Sequence, residues 1–287
     1  MPHIERPDGA RIHYEVRGTG FPVLLLAPGG PGGEVADWAA GPLDPATLHQ
    51  DFQVVSVDQR HSGASTGPLT PYDYGVAAED LVAVLDALDI PVAHVVAGGQ
   101  SASVAWRLAA DAPRRVRAVV AVAPAGRDET NALGDFLAGH EPAMRLPRAA
   151  FFDDPGSEGM SAVLEAARRG RSFAADPEAG PFARTIAADP AAVEALAALR
   201  REKYISALVR HRDGVWPAGR AYFSVADEWF AAAPTPVLVL PGSDRLSPAG
   251  AARRLAADLP GGRLLADWAA APAAPAVTGF LAEHSQN

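Results

Sequence analysis

Cysteine is absent from the 287-residue sequence, which excludes disulfide bonds, thiolate nucleophiles and zinc–thiolate sites. No apolar run reaches the roughly 20 residues that a membrane-spanning helix needs. The first residues lack the basic and apolar regions of a secretion signal, so we expect a soluble cytoplasmic protein. Positive charge is also scarce: 25 lysine and arginine residues face 34 acidic ones, and this net charge of −9 argues against nucleic-acid and anionic-membrane partners.

The sequence alternates between apolar strand-like runs and helical patterns. The run at 22–26 is continuously apolar, as expected for a strand that is buried on both faces of a parallel sheet, and further strands are predicted over 52–57 and 116–122. An opening antiparallel pair is predicted around the turn at Asp8 and Gly9. The pattern therefore predicts an α/β fold, with a mostly parallel eight-stranded sheet and helices on both faces.

Between residues 127 and 233 the pattern changes to helical periods without a convincing strand. Helices are predicted over 160–169, 190–211 and 220–230, with proline-containing loops between them. An insertion of this size predicts a helical lid over the carboxyl ends of the strands, where open α/β sheets bind ligands. We therefore expect a core formed by residues 1–126 and 234–287 and a lid formed by 127–233.

The stretch 94–109 is the most informative, because it predicts a strand, a glycine-rich turn and a helix, the local architecture of a nucleophile elbow. Without gaps, the pattern G-x-S-x-G falls on residues 97–101 and places Gly99, which has no nucleophile, at the apex. A second frame on residues 99–103 places Ser101 there, but it lengthens the strand side and shortens the helix side by two residues. We favour the gapless frame, and the shifted one stays an alternative.

Three motifs of this chain resemble, in order and spacing, those of the α/β-hydrolase superfamily. Residues 29–32 (GGPG) are similar to its oxyanion loop, 58–60 (DQR) to the loop after its fourth strand, and 242–244 (GSD) to its acid-bearing loop. The chain looks most like the branch of prolyl iminopeptidases and aclacinomycin methylesterases. The resemblance implies the fold over nearly the whole chain, whereas fold alone does not give the reaction.

This resemblance also implies a serine, an acid and a histidine in that chain order. Asp244 matches the acid, Gly99 stands at the nucleophile position, and residues 267–274 hold no histidine where the family has one. His284, near the end of the last predicted helix, is the only histidine after Asp244. A serine without its base is a poor nucleophile, so the triad is degenerate and covalent acyl-enzyme hydrolysis is not expected.

The backbone oxyanion apparatus does not depend on these side chains. The N–H groups of Gly30 and Gln100 are expected to converge where a carbonyl oxygen could lie. The leading hypothesis is thus a non-hydrolytic enzyme without a cofactor or metal, acting on a small, largely apolar metabolite that contains a carbonyl group. Cyclisation, rearrangement, isomerisation or elimination would proceed by confinement and by hydrogen bonds to a developing oxyanion.

Several further residues are candidates for the site. His61 replaces a glycine of related sequences in a loop that borders the pocket, and it is either a loop histidine or a replacement general base. The side chain of Gln100 could donate to a ligand, and Ser101 is a helix cap or packing residue in the favoured frame. Asp58 and Arg60 are expected to tie loops together. The remaining substrate-binding candidates are Gly29, Gly30, Pro31, His140, Tyr204, Trp216 and Tyr222.

Two other functions stay open. The first is a serine hydrolase, an esterase or peptidase, with Ser101 as a displaced nucleophile and His61 or a lid histidine as its base. The second is a noncatalytic ligand-binding protein that keeps the fold after losing the site. All three hypotheses assume a small-molecule ligand and a monomer or homodimer.

Overall fold

One β-sheet forms the centre of the fold, and the loops that follow its parallel strands form the candidate site. A computed structural model describes residues 2–30, 33–40, 43–131, 159–171, 177–217, 219–268 and 273–286. In these residues eight strands form one sheet. The strands are β1 (His3–Glu5), β2 (Arg11–Arg17), β3 (Phe21–Leu26), β4 (Phe52–Val57), β5 (Ala93–Gly98), β6 (Val116–Val122), β7 (Val237–Leu240) and β8 (Gly262–Leu264).

The strand order is β1-β2-β4-β3-β5-β6-β7-β8. The pairs β1/β2 and β2/β4 are antiparallel, and every other neighbouring pair is parallel. This confirms the predicted fold, including the opening hairpin, in which Ile4 pairs with Ile12 around the Asp8 turn. Because the carboxyl ends of parallel strands share one edge of a sheet, the loops after β3, β4, β5 and β7 lie along the same edge.

Helices occupy the segments between the strands. Two predicted helices differ from the structure: the helix over 190–211 is interrupted between residues 198 and 201, and the helix over 220–230 begins only at Asp227. Two 3₁₀ segments, Val35–Ala40 and Pro45–Gln50, lie between β3 and β4. The described α-helices are α1 (Tyr74–Ala87), α2 (Ser101–Asp111), α3 (Gly159–Arg168), α4 (Ala183–Ala188), α5 (Pro190–Ala198), α6 (Arg201–Val215), α7 (Asp227–Ala232), α8 (Ala249–Asp258) and α9 (Ala273–Ser285).

The apolar core has a layer on each face of the sheet. Helices α1, α2, α7 and α8 pack on one face around the fully buried Trp106, and α9 packs on the other through Val277 and Leu281. A separate cluster joins α3, α4, α5 and α6 around Phe182 and Leu208. The described part of residues 127–233 contains no strand. Its last stretch, from Val215 onwards, packs into the main core rather than into the separate cluster.

Candidate functional site

Gly99 lies at the bend between β5 and α2. Its φ is +50°, in the left-handed region. The bend is fixed to β6, since the Gly99 N–H donates to the Val122 carbonyl at 2.9 Å and the Ala125 N–H donates to the Gly99 carbonyl at 3.0 Å. A Cβ atom at position 99 would have Pro28 Cβ as its nearest neighbour, at 3.6 Å, which is an ordinary contact. The apex therefore carries no side chain; there is space for a small one, but the left-handed φ strains any residue other than glycine.

Ser101, two residues further on, is the first residue of α2 and is fully buried. Its Oγ accepts the N–H of Gly30 at 3.0 Å and donates to the carbonyl of Ala27. In the described part of the chain, no histidine ring is hydrogen-bonded to this hydroxyl. Of the two roles expected for Ser101, cap or packing residue, the cap position belongs to Gln100, and the fully buried side chain fits the second role. The hydroxyl ties the glycine loop to the helix.

Of the two backbone N–H groups that were expected to bind a carbonyl oxygen, those of Gly30 and Gln100, one is already used inside the protein. The Gly30 N–H is donated to Ser101, and the geometry contradicts the expectation that it faces a ligand. The Gln100 N–H, at the start of the 11-residue helix α2, has no protein partner within the described ranges. Orphan N–H groups and the helix dipole both favour negative charge at such a terminus. One backbone donor thus stays open at the elbow.

The side chain of Gln100 is buried and is linked through Tyr74 to the end of α6. Its Nε2 donates to Tyr74 Oη at 2.9 Å, and Tyr74 Oη donates to the carbonyl of Val215, at the end of α6, at 2.8 Å. Burial raises the pKa of Tyr74, so this hydroxyl stays protonated. A Cβ atom at Gly30 would approach Gln100 Cδ to 2.8 Å, so the amide packs against the glycine loop. The sequence suggests an amide that donates to a ligand, but one of its N–H groups is used inside the protein.

Asp244, at the position of the family's acid, is exposed after β7. Its Oδ1 accepts the N–H groups of Leu246 and Ser247, both at 2.8 Å. The opposite carboxylate oxygen has no histidine partner in the residues that the structure covers. Asp244 therefore stabilises its own loop.

Changing Asp244 to asparagine tests whether this residue is a loop cap or a catalytic acid. An asparagine keeps the accepting oxygen, so we expect the free energy of unfolding to change by less than about 1 kcal/mol. Urea denaturation measures it. A triad acid behaves differently, since its conversion to the amide lowers turnover by about four orders of magnitude. A comparable loss of any activity found for the protein would contradict the capping role.

His284 does not reach the elbow. Its ring stacks edge-on with Phe280 at 4.8 Å between centroids, and it interacts electrostatically with His94, near the amino end of β5. About five residues of extended chain separate His94 from Gly99, a distance of roughly 16 Å. His284 thus lies towards the opposite edge of the sheet.

His61 joins the loop after β4 to the helical segment. It is buried, and its φ of +59° is one that residues other than glycine seldom adopt. Its Nδ1 lies 2.7 Å from Thr185 Oγ1 on α4, and its ring contacts Tyr72 and Phe182 with centroids 5.0 and 4.9 Å apart. Burial, followed by the nearby His211, lowers the pKa of His61 to about 3. A neutral imidazole of this kind is a weak base, and this one is held between the loop after β4 and helix α4.

The aromatic candidates for the pocket lie in packed clusters. Tyr204 belongs to the α3–α6 cluster, and burial raises the pKa of its hydroxyl. Trp216 packs edge-on against Phe223, with centroids 4.8 Å apart. Tyr222 is buried beside Phe230, and its hydroxyl donates to the carbonyl of Ala251 at 3.1 Å. Each of the three side chains is thus packed against its described neighbours, and their role in lining a pocket stays a prediction. Two other candidates, Pro31 and His140, lie outside the described residues.

The loop after β4 is held by buried charges. Asp58 accepts the N–H groups of Val35 at 2.7 Å and Ala64 at 2.9 Å, and pairs with His13 Nδ1 at 2.8 Å. Arg60 donates to Asp80 through Nε at 2.5 Å and through Nη2 at 3.0 Å. These contacts match the loop-tying roles expected from the sequence.

One ion pair that no sequence pattern indicates links helix α4 to the loop after β3. Arg184 on α4 donates to both carboxylate oxygens of Glu34, at 2.7 and 2.8 Å. Its partners are 150 positions apart, so no local pattern could reveal it. Within the described residues, no three histidine or carboxylate side chains form a metal-binding group, and no helix is both long and apolar enough to span a membrane.

Comparison with known proteins agrees with this architecture. The model of the α/β-hydrolase fold family matches residues 22–271. The chain therefore belongs to the α/β-hydrolase fold family.

Two curated relatives match part of the chain. The "Putative carbamate hydrolase RutD" of Caulobacter vibrioides (strain NA1000 / CB15N) is 37% identical over 115 residues, covering 39% of this chain and 41% of the relative. The 2-hydroxymuconate semialdehyde hydrolase of Pseudomonas sp. (strain CF600) is 34% identical over 119 residues, 41% of each chain. The chain thus spans about two fifths of the length of the curated relatives it matches. These relatives carry the names of hydrolases that act on small molecules.

Solved structures extend the likeness of fold to the whole chain. An α/β hydrolase from Sphaerobacter thermophilus DSM 20745 has a TM-score of 0.60 at 22% identity, covering 99% of both chains. A thermophilic esterase from Thermogutta terrifontis also has a TM-score of 0.60, at 19% identity, over 100% of both chains. At these identities the likeness concerns the fold alone.

Proposed function

We propose that the protein is a non-hydrolytic member of its family, acting on a small, largely apolar molecule that contains a carbonyl group. The observation that carries this proposal is the bare apex: Gly99 stands at the bend, and the nearest serine hydroxyl, Ser101, is buried in hydrogen bonds to the backbone. Without a nucleophile, the site can still confine a ligand and donate the Gln100 N–H to its carbonyl oxygen.

The proposed reaction proceeds without a covalent intermediate. Cyclisation, rearrangement, isomerisation and elimination of carbonyl compounds each develop negative charge on the carbonyl oxygen. A backbone donor at a helix start stabilises that charge without needing a side chain. The lid segment, residues 127–233, would cover the ligand, and the ion pair between Arg184 and Glu34 supports its contact with the loop after β3. Exclusion of water would strengthen the single hydrogen bond.

A fluorophosphonate probe tests the missing nucleophile. Such probes phosphonylate activated serines, so we expect no adduct by intact-mass measurement of this protein, while a serine esterase treated in parallel is labelled completely. Hydrolysis of p-nitrophenyl esters is expected at the background rate, unchanged by Ser101→Ala or by the control Ser103→Ala. A stoichiometric adduct mapped to Ser101, or turnover that only Ser101→Ala removes, would establish the serine hydrolase suggested by the names of the relatives.

A noncatalytic binding protein is the second candidate. The hydrogen bond from the Gly30 N–H to Ser101 favours this second function, because an oxyanion hole that has lost one of its two donors stabilises negative charge less well. Incubation with a panel of small ketones and lactones in deuterated water separates the two functions. Exchange of α-hydrogens followed by NMR, faster than in buffer, supports the enzyme. Thermal stabilisation by a panel member without exchange or conversion supports the binding protein.

A further inference from the structure

Ser101 connects the elbow to the glycine loop by a two-step hydrogen-bond chain. The Gly30 N–H donates to Ser101 Oγ at 3.0 Å, and the same Oγ donates to the Ala27 carbonyl, on the other side of the loop. The side chain has no exposed surface. In the elbow pattern this position holds a glycine, which has no hydroxyl. The chain of bonds is therefore a property of this sequence.

We propose that Ser101 is a positioning residue that keeps the oxyanion hole unformed. By accepting the Gly30 N–H, it withdraws the second donor from the site and leaves the Gln100 N–H as the remaining one. The proposal rests on the proposed function, and deepens it, because a site with one donor holds a neutral carbonyl but stabilises a full oxyanion poorly. The site would thus select reactions with partial charge on oxygen, and would disfavour tetrahedral intermediates.

The closed arrangement is held by more than one bond. Turning the peptide between Gly29 and Gly30 would leave a fully buried hydroxyl without its donor, and buried polar groups without partners are costly. The Gln100 side chain packs on the other side, where a Cβ atom at Gly30 would be 2.8 Å from Gln100 Cδ. The Gly30 φ of +63° is open to glycine alone at no cost, so the loop can turn once the hydroxyl is removed.

Introducing a nucleophile at the apex makes it possible to measure how much the Gly30 N–H, the second donor, contributes to an acylation rate. The natural chain has no cysteine, so Gly99→Cys creates a single thiol, and a Cβ atom fits there at 3.6 Å from Pro28. With p-nitrophenyl acetate the thiolate forms a C–S bond, the carbonyl becomes a tetrahedral oxyanion, and the C–O bond to p-nitrophenolate then breaks. The thiol proton goes to the buffer. The products are p-nitrophenolate and one acetyl group on the protein.

We expect Ser101→Ala, added to Gly99→Cys, to raise the acylation rate by about 100-fold, the lower end of the roughly 10²–10³ that one oxyanion-hole donor contributes to the rate. Ser103→Ala is the matched control: Ser103 is also buried on α2 and also donates to a backbone carbonyl, that of Tyr222, at 3.0 Å. It should leave the rate unchanged. Rates normalised to thiolate content, from pH profiles, exclude a simple change in the pKa of the introduced thiol.

Two further variants keep the test decisive if Ser101→Ala folds poorly. Ser101→Gly should accelerate acylation in the same way, and Ser101→Thr, which keeps the hydroxyl, should not. With Gly99 unchanged, hydrogen exchange of the Gly30 amide should become at least about tenfold faster in Ser101→Ala. Equal acylation rates in the Ser101→Ala and Ser103→Ala backgrounds, or an unchanged Gly30 exchange rate, would overturn the proposal. A fluorophosphonate adduct on the natural chain would instead overturn the proposed function, so the two failures are distinguishable.

Discussion

Replacing Asp58 with alanine should lower the free energy of unfolding by about 3–5 kcal/mol, because three hydrogen-bonding groups lose this acceptor and each lost partner costs about 1–3 kcal/mol. The residue is 4% exposed. Its carboxylate accepts two backbone N–H groups, from Val35 and Ala64, and pairs with His13. Alanine would leave the buried His13 ring and two part-buried N–H groups without their acceptor. Urea denaturation followed by circular dichroism measures the change.

Asp244 provides the matched control for Asp58. It also accepts two backbone N–H groups, but it is exposed, so water can replace the lost acceptor. We expect Asp244→Ala to cost about 1 kcal/mol, as for other caps. Equal losses in the two variants would show that burial of the charge is not what makes Asp58 important. The contrast also bears on the site, because Asp58 fixes the loop that begins at Val35 and the loop that carries His61.

The elbow was predictable because its determinants are local. An apolar run, two glycines and a stretch of small residues specify the strand, the bend and α2, and Gly99 occurs at the bend with a positive φ. The role of Ser101 was not predictable, because its partner Gly30 is 71 positions away. Sequence periodicity describes one segment at a time, whereas this hydrogen bond depends on how two loops meet at the edge of the sheet.

The aromatic residues of the helical segment, residues 127–233, show a second limit of prediction from the sequence. The sequence makes Tyr204, Trp216 and Tyr222 candidates for a pocket without choosing between pocket and core, and each is packed against other aromatic or aliphatic side chains. A large apolar side chain gains free energy in either setting. Composition therefore cannot distinguish a ligand pocket from a core. The sequence marks His61 as unusual, but its partner Thr185, 124 positions away, could not be foreseen.

Acid should destabilise the junction between the core and the helical segment through His61 and His211. The rings of Tyr72 and His211 have centroids 4.7 Å apart, and His61 contacts the same tyrosine at 5.0 Å. Burial lowers the pKa of His61 to about 3 and that of His211 to about 4. The neighbouring charges are Arg60, which also disfavours protonation of His61, and Asp8, which favours it.

The sign of the effect follows from proton counting. An unfolded histidine binds a proton near pH 6.5, whereas these two bind one in the folded state only near pH 3 to 4. Between these values the unfolded chain holds more protons, so stability is complete above pH 6.5 and is lost as the pH falls towards 4. At about pH 5 the loss is on the order of 2 kcal/mol for each histidine.

Urea denaturation at about pH 7 and about pH 5 measures this loss, and the variant His61→Asn/His211→Phe should reduce it by about 4 kcal/mol. Asparagine tolerates the left-handed φ at position 61, and phenylalanine suits the aromatic surroundings of position 211. His94, buried in β5 with its pKa also lowered to about 4, keeps part of the acid sensitivity in every variant. His3→Gln, at a ring that is 38% exposed, should change nothing. If the double variant loses as much stability in acid as the natural chain does, protonation of His61 and His211 is not the cause. The two histidines would then bind protons in the folded protein as readily as in the unfolded chain.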